Sequence, residues 1–173
     1  MLLKHRDEFG GWKLAQDVVW EKQDGTGFAA DRFRRVHEHA TQWYYGKWGN
    51  VFKSPQREPG GHPAGTVLHR RANRTTHTGS IGAITVVADG TRLVRSVIRC
   101  QNMHGRALHP TEKPLGILSP LIAYSCPPGG TVLDLFAGSG STLEAARCAG
   151  RRAIGFEVNE QYCDVIARRL ASG

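Results

Sequence analysis

The side chains whose types and spacing could do chemistry fall together in Thr131–Glu157, TVLDLFAGSGSTLEAARCAGRRAIGFE. Asp134 lies within a short apolar run. Gly138 and Gly140 punctuate the turn after it. Ser141 and Thr142 follow as candidate helix caps, and Glu157 closes a second apolar run. A helix that starts straight after a glycine turn presents unpaired backbone N–H groups, and these favour an anion. An acid at the end of the second strand suits the hydroxyls of a ribose. Together these features predict a nucleoside cofactor, and this stretch alone leaves the nucleoside open.

The elements that must hold these groups are legible around them. Val132, Leu133, Leu135 and Phe136, bounded by Gly129-Gly130 and Gly138, predict a strand buried on both faces. Leu143, Ala145, Ala146 and Ala149 supply the apolar positions of a helix that Gly150 ends, and Ala153–Phe156 form a second strand. Upstream, Pro114 opens a helix over Leu115–Ser125 that Pro120 should kink. Downstream, Glu160–Leu170 reads as an amphipathic helix with Tyr162, Val165, Ile166 and Leu170 on one face and Arg168 and Arg169 beside it. Near the start, Trp12–Trp20 and His37–Tyr45 read as strands, with a polar loop over Glu21–Gly27. Ile81–Ala88 and Thr91–Arg99 flank Asp89-Gly90, the signal of a type I′ hairpin, which would place Arg95 and Arg99 on its solvent face.

With 40% hydrophobic and 22% charged residues, the chain has the composition of a globular protein with one sizeable core. No apolar run has the length of a membrane span, and MLLKHRDEFGGW lacks the apolar stretch of a signal peptide, so a cytoplasmic location is expected and no membrane partner. Cys100, Cys126, Cys148 and Cys163 are widely spaced without a C-x-x-C, which speaks against a metal site and suits reduced thiols. The net charge is +8, and between Lys53 and Arg106 nine basic residues face only Glu58 and Asp89. Positive charge concentrated in one segment favours a polyanion. Arg70, Arg71, Arg74, Arg95 and Arg99 are the candidate contacts.

HPTEKP at His109–Pro114, a helix, PPGGTVLDLFAGSGST and then GFEVNEQYC closely resemble the C-terminal half of the S-adenosylmethionine-dependent DNA amino-methyltransferases. These are the N6-adenine and N4-cytosine enzymes of the β-type motif order. VVWEKQDGTGFAADRFRRVHEHATQWYYG is similar to the section that follows the catalytic motif in the same family. The resemblance implies an α/β fold, a Rossmann-like methyltransferase sheet with an inserted, hairpin-containing target-recognition region. It implies three segments: 1–50 from the sheet, 51–106 as the basic recognition region and 107–173 as the cofactor-binding β-α-β segment. It further implies S-adenosyl-L-methionine as cofactor and double-stranded DNA as substrate, in the manner of restriction-modification enzymes. Asp134, Phe136, Gly138 and Gly140 would line the cofactor site. Ser141 and Thr142 would receive the methionine carboxylate, and Glu157 the ribose hydroxyls. Thr111 and Lys113 would close the other side, Lys113 offering a cation to the carboxylate.

The family also carries an [Asp/Asn/Ser]-Pro-Pro-[Tyr/Phe/Trp] motif that grips the flipped base and directs its exocyclic amine at the sulfonium methyl. The sequence holds a single Pro-Pro pair, Pro127-Pro128, between Cys126 and Gly129, in the turn before the opening strand. It cannot play that role, so no catalytic residue is assigned, and the sheet is expected to lack central strands. Three readings follow: a truncated or split methyltransferase that needs a complementary fragment, a catalytically inactive DNA- or cofactor-binding remnant, and a dinucleotide-dependent dehydrogenase. Against the last, Leu143 stands where the third glycine of G-x-G-x-x-G would be, and HPTEKP has no role in it.

Overall fold

The computed structural model describes residues 10–26, 30–75 and 79–171. In chain order the elements are β1 (Trp12–Thr26), β2 (Arg35–Tyr45), β3 (Arg57–Pro59), β4 (Val67–Arg70), β5 (Asn73–Thr75), β6 (Gly79–Ile81), β7 (Ile84–Val87), β8 (Thr91–Leu93), β9 (Val97–Arg99), α1 (Leu115–Ser125), β10 (Thr131–Asp134), α2 (Ser141–Cys148), β11 (Arg152–Gly155) and α3 (Glu160–Ala171). They fall into two compact units, Pro55–Val94 and the remainder of the chain.

In the larger unit β1 pairs antiparallel with β2 and parallel with β9, giving the order β2-β1-β9. The first strand outruns its expected end at Trp20. Glu21 still pairs with His37, and an irregular register carries the ladder on to Thr26 opposite Arg35. The polar composition of this stretch suggested a loop, but pairing with β2 satisfies its backbone. Trp20 is buried, and its indole N–H donates to the Cys100 carbonyl at 2.8 Å.

The expected β-α-β unit is present. β10 and β11 run parallel in register from Thr131↔Arg152 to Asp134↔Gly155. α1 and α2 pack over one face, where Ile122, Cys126, Ala145 and Ala146 make a core with Leu115, Leu118, Val132 and Ala149. α1 continues through Pro120. A Cβ on Gly155 would lie 2.7 Å from Leu143 Cδ1, so only glycine lets β11 approach α2 this closely.

The strand expected to be buried on both faces is covered on one. Leu133 and Leu135 are each 58% exposed and Phe136 89% exposed, with Ile154 and Phe156 open beside them. The pair β10-β11 also shares no ladder with β2-β1-β9. The expected Rossmann-like methyltransferase sheet is thus incomplete, and the apolar run marks a face that nothing in the described residues covers.

In the smaller unit β3 pairs with β8, β4 with β7 and β5 with β6, all antiparallel. This nesting makes one long ribbon whose innermost pair is β5 and β6. The hairpin expected at Asp89-Gly90 is not formed, because β7 and β8 pair with different strands. A type I′ turn needs positive φ at both central residues. Gly90 has φ +84°, but among the described residues no non-glycine has positive φ. The Asp89 carboxylate instead accepts from the Thr91 N–H at 2.9 Å and from the Thr91 hydroxyl at 2.7 Å, which bends the strand between two rungs. The single strand Thr91–Arg99 is likewise two: β8 lies in the ribbon and β9 in the larger unit.

Candidate cofactor site

The turn between β10 and α2 is tied down from four directions. From within, Asp134 accepts the Phe136 N–H at 3.0 Å. From just past β11, the Phe156 carbonyl accepts the Ala137 N–H at 2.8 Å. From the end of β11, Glu157 accepts the Gly138 N–H at 2.8 Å through one carboxylate oxygen and the Asn159 N–H at 2.8 Å through the other. These N–H groups, that of Asn159 foremost, hold the Glu157 carboxyl below the usual glutamate range. From the HPTEKP turn, the His109 ring lies over Gly138, where a Cβ would come within 3.3 Å of it.

Gly138 and Gly140 have φ of +54° and +81°, which L side chains rarely adopt. Gly140 takes the N-cap position of α2 and no side chain caps the helix, so the expected capping by Ser141 or Thr142 does not occur. Ser141 is the first helical residue and is buried. The Glu144 N–H is the first in the helix to reach a carbonyl, that of Gly140 at 3.0 Å. The first turn therefore keeps its N–H groups and the positive end of its dipole for an anion.

His109 is part of the turn it starts. Its Nδ1 accepts the Thr111 N–H at 3.2 Å and lies 3.1 Å from the Thr111 hydroxyl, and its ring meets Tyr162 of α3 edge-on at 4.5 Å. Lys113 donates to the Thr111 carbonyl at 3.1 Å and pairs with Glu38 of β2 at 3.1 Å, its ammonium 5.8 Å from the Trp20 ring centroid. Glu38 also pairs with Lys22. Burial pushes the Glu38 carboxyl up, but the two lysines outweigh it and the pKa ends lower.

Glu112, Ser139 and Arg169 are site residues that no expectation named. The Glu112 side chain is only 2% exposed. One oxygen accepts the Ser139 hydroxyl at 2.8 Å and the Leu108 N–H at 2.7 Å, and the other accepts Arg169 Nη2 at 2.6 Å. Arg169 Nε lies 3.5 Å from Glu144 of α2. The signal was present: Arg169 stands three residues after Ile166 and seven after Tyr162, on the apolar face of α3 rather than beside it.

The profile of the DNA methylase family, N6_N4_Mtase, matches residues 2–168. The chain belongs to this family. Among curated relatives, YubD of Escherichia coli (strain K12) is 53% identical over 68 residues, 39% of this chain and 30% of that protein. The DNA adenine methyltransferase YhdJ of the same organism is 47% identical over 62 residues, 36% of this chain and 21% of that protein. Among solved structures, the M1.HpyAVI–SAM complex superposes with a TM-score of 0.60 at 22% identity, covering 94% of this chain and 65% of that one. The cytosine-N4-specific PvuII DNA methyltransferase superposes with a TM-score of 0.61 at 18% identity, covering 97% and 54%. The methylase fold thus extends over nearly all of this chain, while the chain spans roughly two thirds or less of each of these structures.

Of the arginines expected to meet DNA, Arg70 and Arg71 are exposed on and beside β4 of the ribbon. The backbone of Arg74 lies in β5. Arg95 and Arg99 belong to the larger unit, and Arg99 Nε donates to Glu21 across the parallel β1–β9 pair at 3.0 Å. Among the described residues no helix is long and apolar enough to cross a membrane.

Proposed function

We propose that this methylase chain holds S-adenosylmethionine and part of the DNA-contacting surface of an enzyme that methylates the exocyclic amine of adenine N6 or cytosine N4 in double-stranded DNA. Residues beyond these 173 supply the Pro-Pro-aromatic motif. The observation that carries this reading is the joint geometry of the glycine turn: positive φ at Gly138 and Gly140, an uncapped α2, and Glu157 and the HPTEKP turn bound against it. The residues fit the cofactor. A side chain at Gly138 would fill the space beneath His109, and the first turn of α2 has unspent donors for a carboxylate.

When bound, the cofactor supplies a methyl group on a sulfonium. Ser141 and Thr142 would hold the methionine carboxylate at the head of α2. Glu157 spends one lone pair on Gly138 and one on Asn159, and a carboxylate has about four, so ribose hydroxyls can still donate to it. Asp134 shapes the turn through Phe136 N–H, Phe136 offers an open ring at the site's edge, and Thr111 stands exposed across from it. Lys113, which lines the same cavity as Ser141, would offer its ammonium to that carboxylate in place of Glu38. Arg70, Arg71 and Arg74 meet phosphates, with Arg95 and Arg99 as the corresponding contacts of the larger unit.

The decisive experiment mixes the chain with a family fragment bearing Asp-Pro-Pro-Tyr and assays methyl transfer from labelled S-adenosylmethionine to DNA. Transfer by the mixture and by neither part alone is the expected result. Cofactor binding without transfer in any mixture supports an inactive remnant instead. Calorimetry with S-adenosylmethionine against NAD separates both from the dehydrogenase.

A further inference from the structure

Three parts of the chain converge on Glu112. The HPTEKP turn carries it, the glycine turn reaches it through Ser139, and α3 reaches it through Arg169. These partners lie 27 and 57 residues away in sequence, so the contact exists only in the folded chain. The carboxylate is 98% buried, since its exposure is 2%, and Ser139 is also 2% exposed. A carboxylate taken out of water at such a cost needs a cation and full hydrogen bonding. Arg169 provides the cation, and Leu108 N–H and Ser139 complete the set. The partner that matters for the site is Ser139, which stands between Gly138 and Gly140. Neither glycine can hold its backbone by side-chain packing, so the turn depends on anchors from outside. Glu157 anchors Gly138 on one side, and Glu112 anchors Ser139 on the other. Glu112 and Arg169 also line a cavity of about 280 Å³ that Ser141, at the head of α2, opens onto.

We propose that Glu112 is a positioning residue of the cofactor site: through the Ser139 hydroxyl it fixes the glycine turn in its binding conformation, and Arg169 holds Glu112 in place. The inference rests on the cofactor reading above. A merely structural Glu112 would serve only to pin α3 to the HPTEKP turn. The two roles part at Ser139, because Ser139→Ala cuts the link to the glycine turn and leaves the Glu112–Arg169 pair whole.

The test uses the full chain. Cofactor affinity is read by calorimetry, folding by thermal unfolding, and the glycine turn by amide hydrogen exchange at Gly138 and Gly140. Ser139→Ala is expected to weaken S-adenosylmethionine binding about tenfold, as for loss of a hydrogen bond to a buried charge. The same variant should speed exchange at Gly138 and Gly140 by a similar factor and lower Tm by less than about 4 °C. Glu112→Gln should weaken binding at least as much, because the new amide N–H faces Arg169. The pair Glu112→Gln with Arg169→Met should recover affinity to within about threefold of wild type, since the glutamine amide oxygen can still accept from Ser139. Ser139→Ala that binds within about twofold of wild type, with unchanged exchange at the turn, overturns the proposal. If the unaltered chain binds no S-adenosylmethionine, the cofactor reading falls, and exchange at Gly138 and Gly140 alone decides whether Glu112 positions the turn.

Discussion

Between Pro114 and Ala146 the chain buries Pro114, Ile117, Ile122, Cys126, Leu143, Ala145 and Ala146 together with the whole turn from Ala137 to Ser141. In the ribbon none of residues 55–72 and 82–94 is buried. The first region is held by packing, and the Glu112–Arg169 ion pair is buried beside it. The second is held by ladders of three or four residues and by pairs on its surface, Arg57 with Asp89 and Arg92 with Glu58. Exposed pairs of this kind contribute little. Under the proposed function the contrast suits two tasks. A cofactor site must be preorganised to a fraction of an ångström, and a tight core supplies that rigidity. A surface that reads DNA needs charge and a backbone frame, and it can change its side chains without unfolding anything.

The contrast breaks first at the core. Ile122→Ala should destabilise the larger unit by about 3 kcal/mol, the usual cost of emptying a buried aliphatic site, and denaturant unfolding followed by Trp fluorescence reads it. Next in size is Gly138→Ala. With φ +54° and the His109 ring 3.3 Å away, an alanine should cost about 1–2 kcal/mol of turn geometry, seen as a roughly tenfold or greater loss of S-adenosylmethionine affinity by calorimetry.

Acid should separate the regions further. Burial raises the Glu112 carboxyl, but Arg169, Leu108 N–H and Ser139 outweigh it, so its folded pKa lies below its unfolded value. Its contribution is therefore present above the ordinary glutamate pKa and is lost as pH falls through the lower folded value. A profile of Tm against pH should fall on the acid side and flatten in Glu112→Gln. In the ribbon the Thr91 hydroxyl and N–H, with Arg57, hold Asp89 down to about 2, so the bend at Asp89-Gly90 should survive until pH approaches that value. NMR of the Thr91 amide would track it.

Arg70→Ala with Arg71→Ala should weaken DNA binding, lower the salt slope by about 2, and leave cofactor binding unchanged. Equal loss of both activities would mean the ribbon supports the core. The smallest effect is expected at Val86, 51% exposed on β7, where alanine should change stability by no more than about 0.5 kcal/mol. A larger cost would show that the ribbon's apolar surface is packed after all.

Local signals decided everything that depends on neighbours in the chain. The strand, glycine turn, helix and strand of Thr131–Glu157, the start of α1 at Pro114 and the strand over His37–Tyr45 were all readable, because spacing and capping act over a few residues. The same rule failed at Asp89-Gly90. The dipeptide bends the chain, but which strand a neighbour pairs with is a long-range choice, and β7 pairs back to β4 instead, outside the β5–β6 pair. It failed again at Glu21–Thr26, where pairing with β2 overrode a polar composition.

By itself, then, the sequence determined the cofactor segment's elements, the glycines that shape its turn, the excess of positive charge and the family. Only the tertiary structure decided that Lys113 rests on Glu38, that Arg95 and Arg99 stand outside the ribbon, that β10 leaves an apolar face open, and that Glu112 gathers Ser139 and Arg169. The physical reason is common to all four. Each depends on what a side chain meets across tens of residues, and a buried charge such as Glu112 can be told from a solvated one only when its partners have been brought to it.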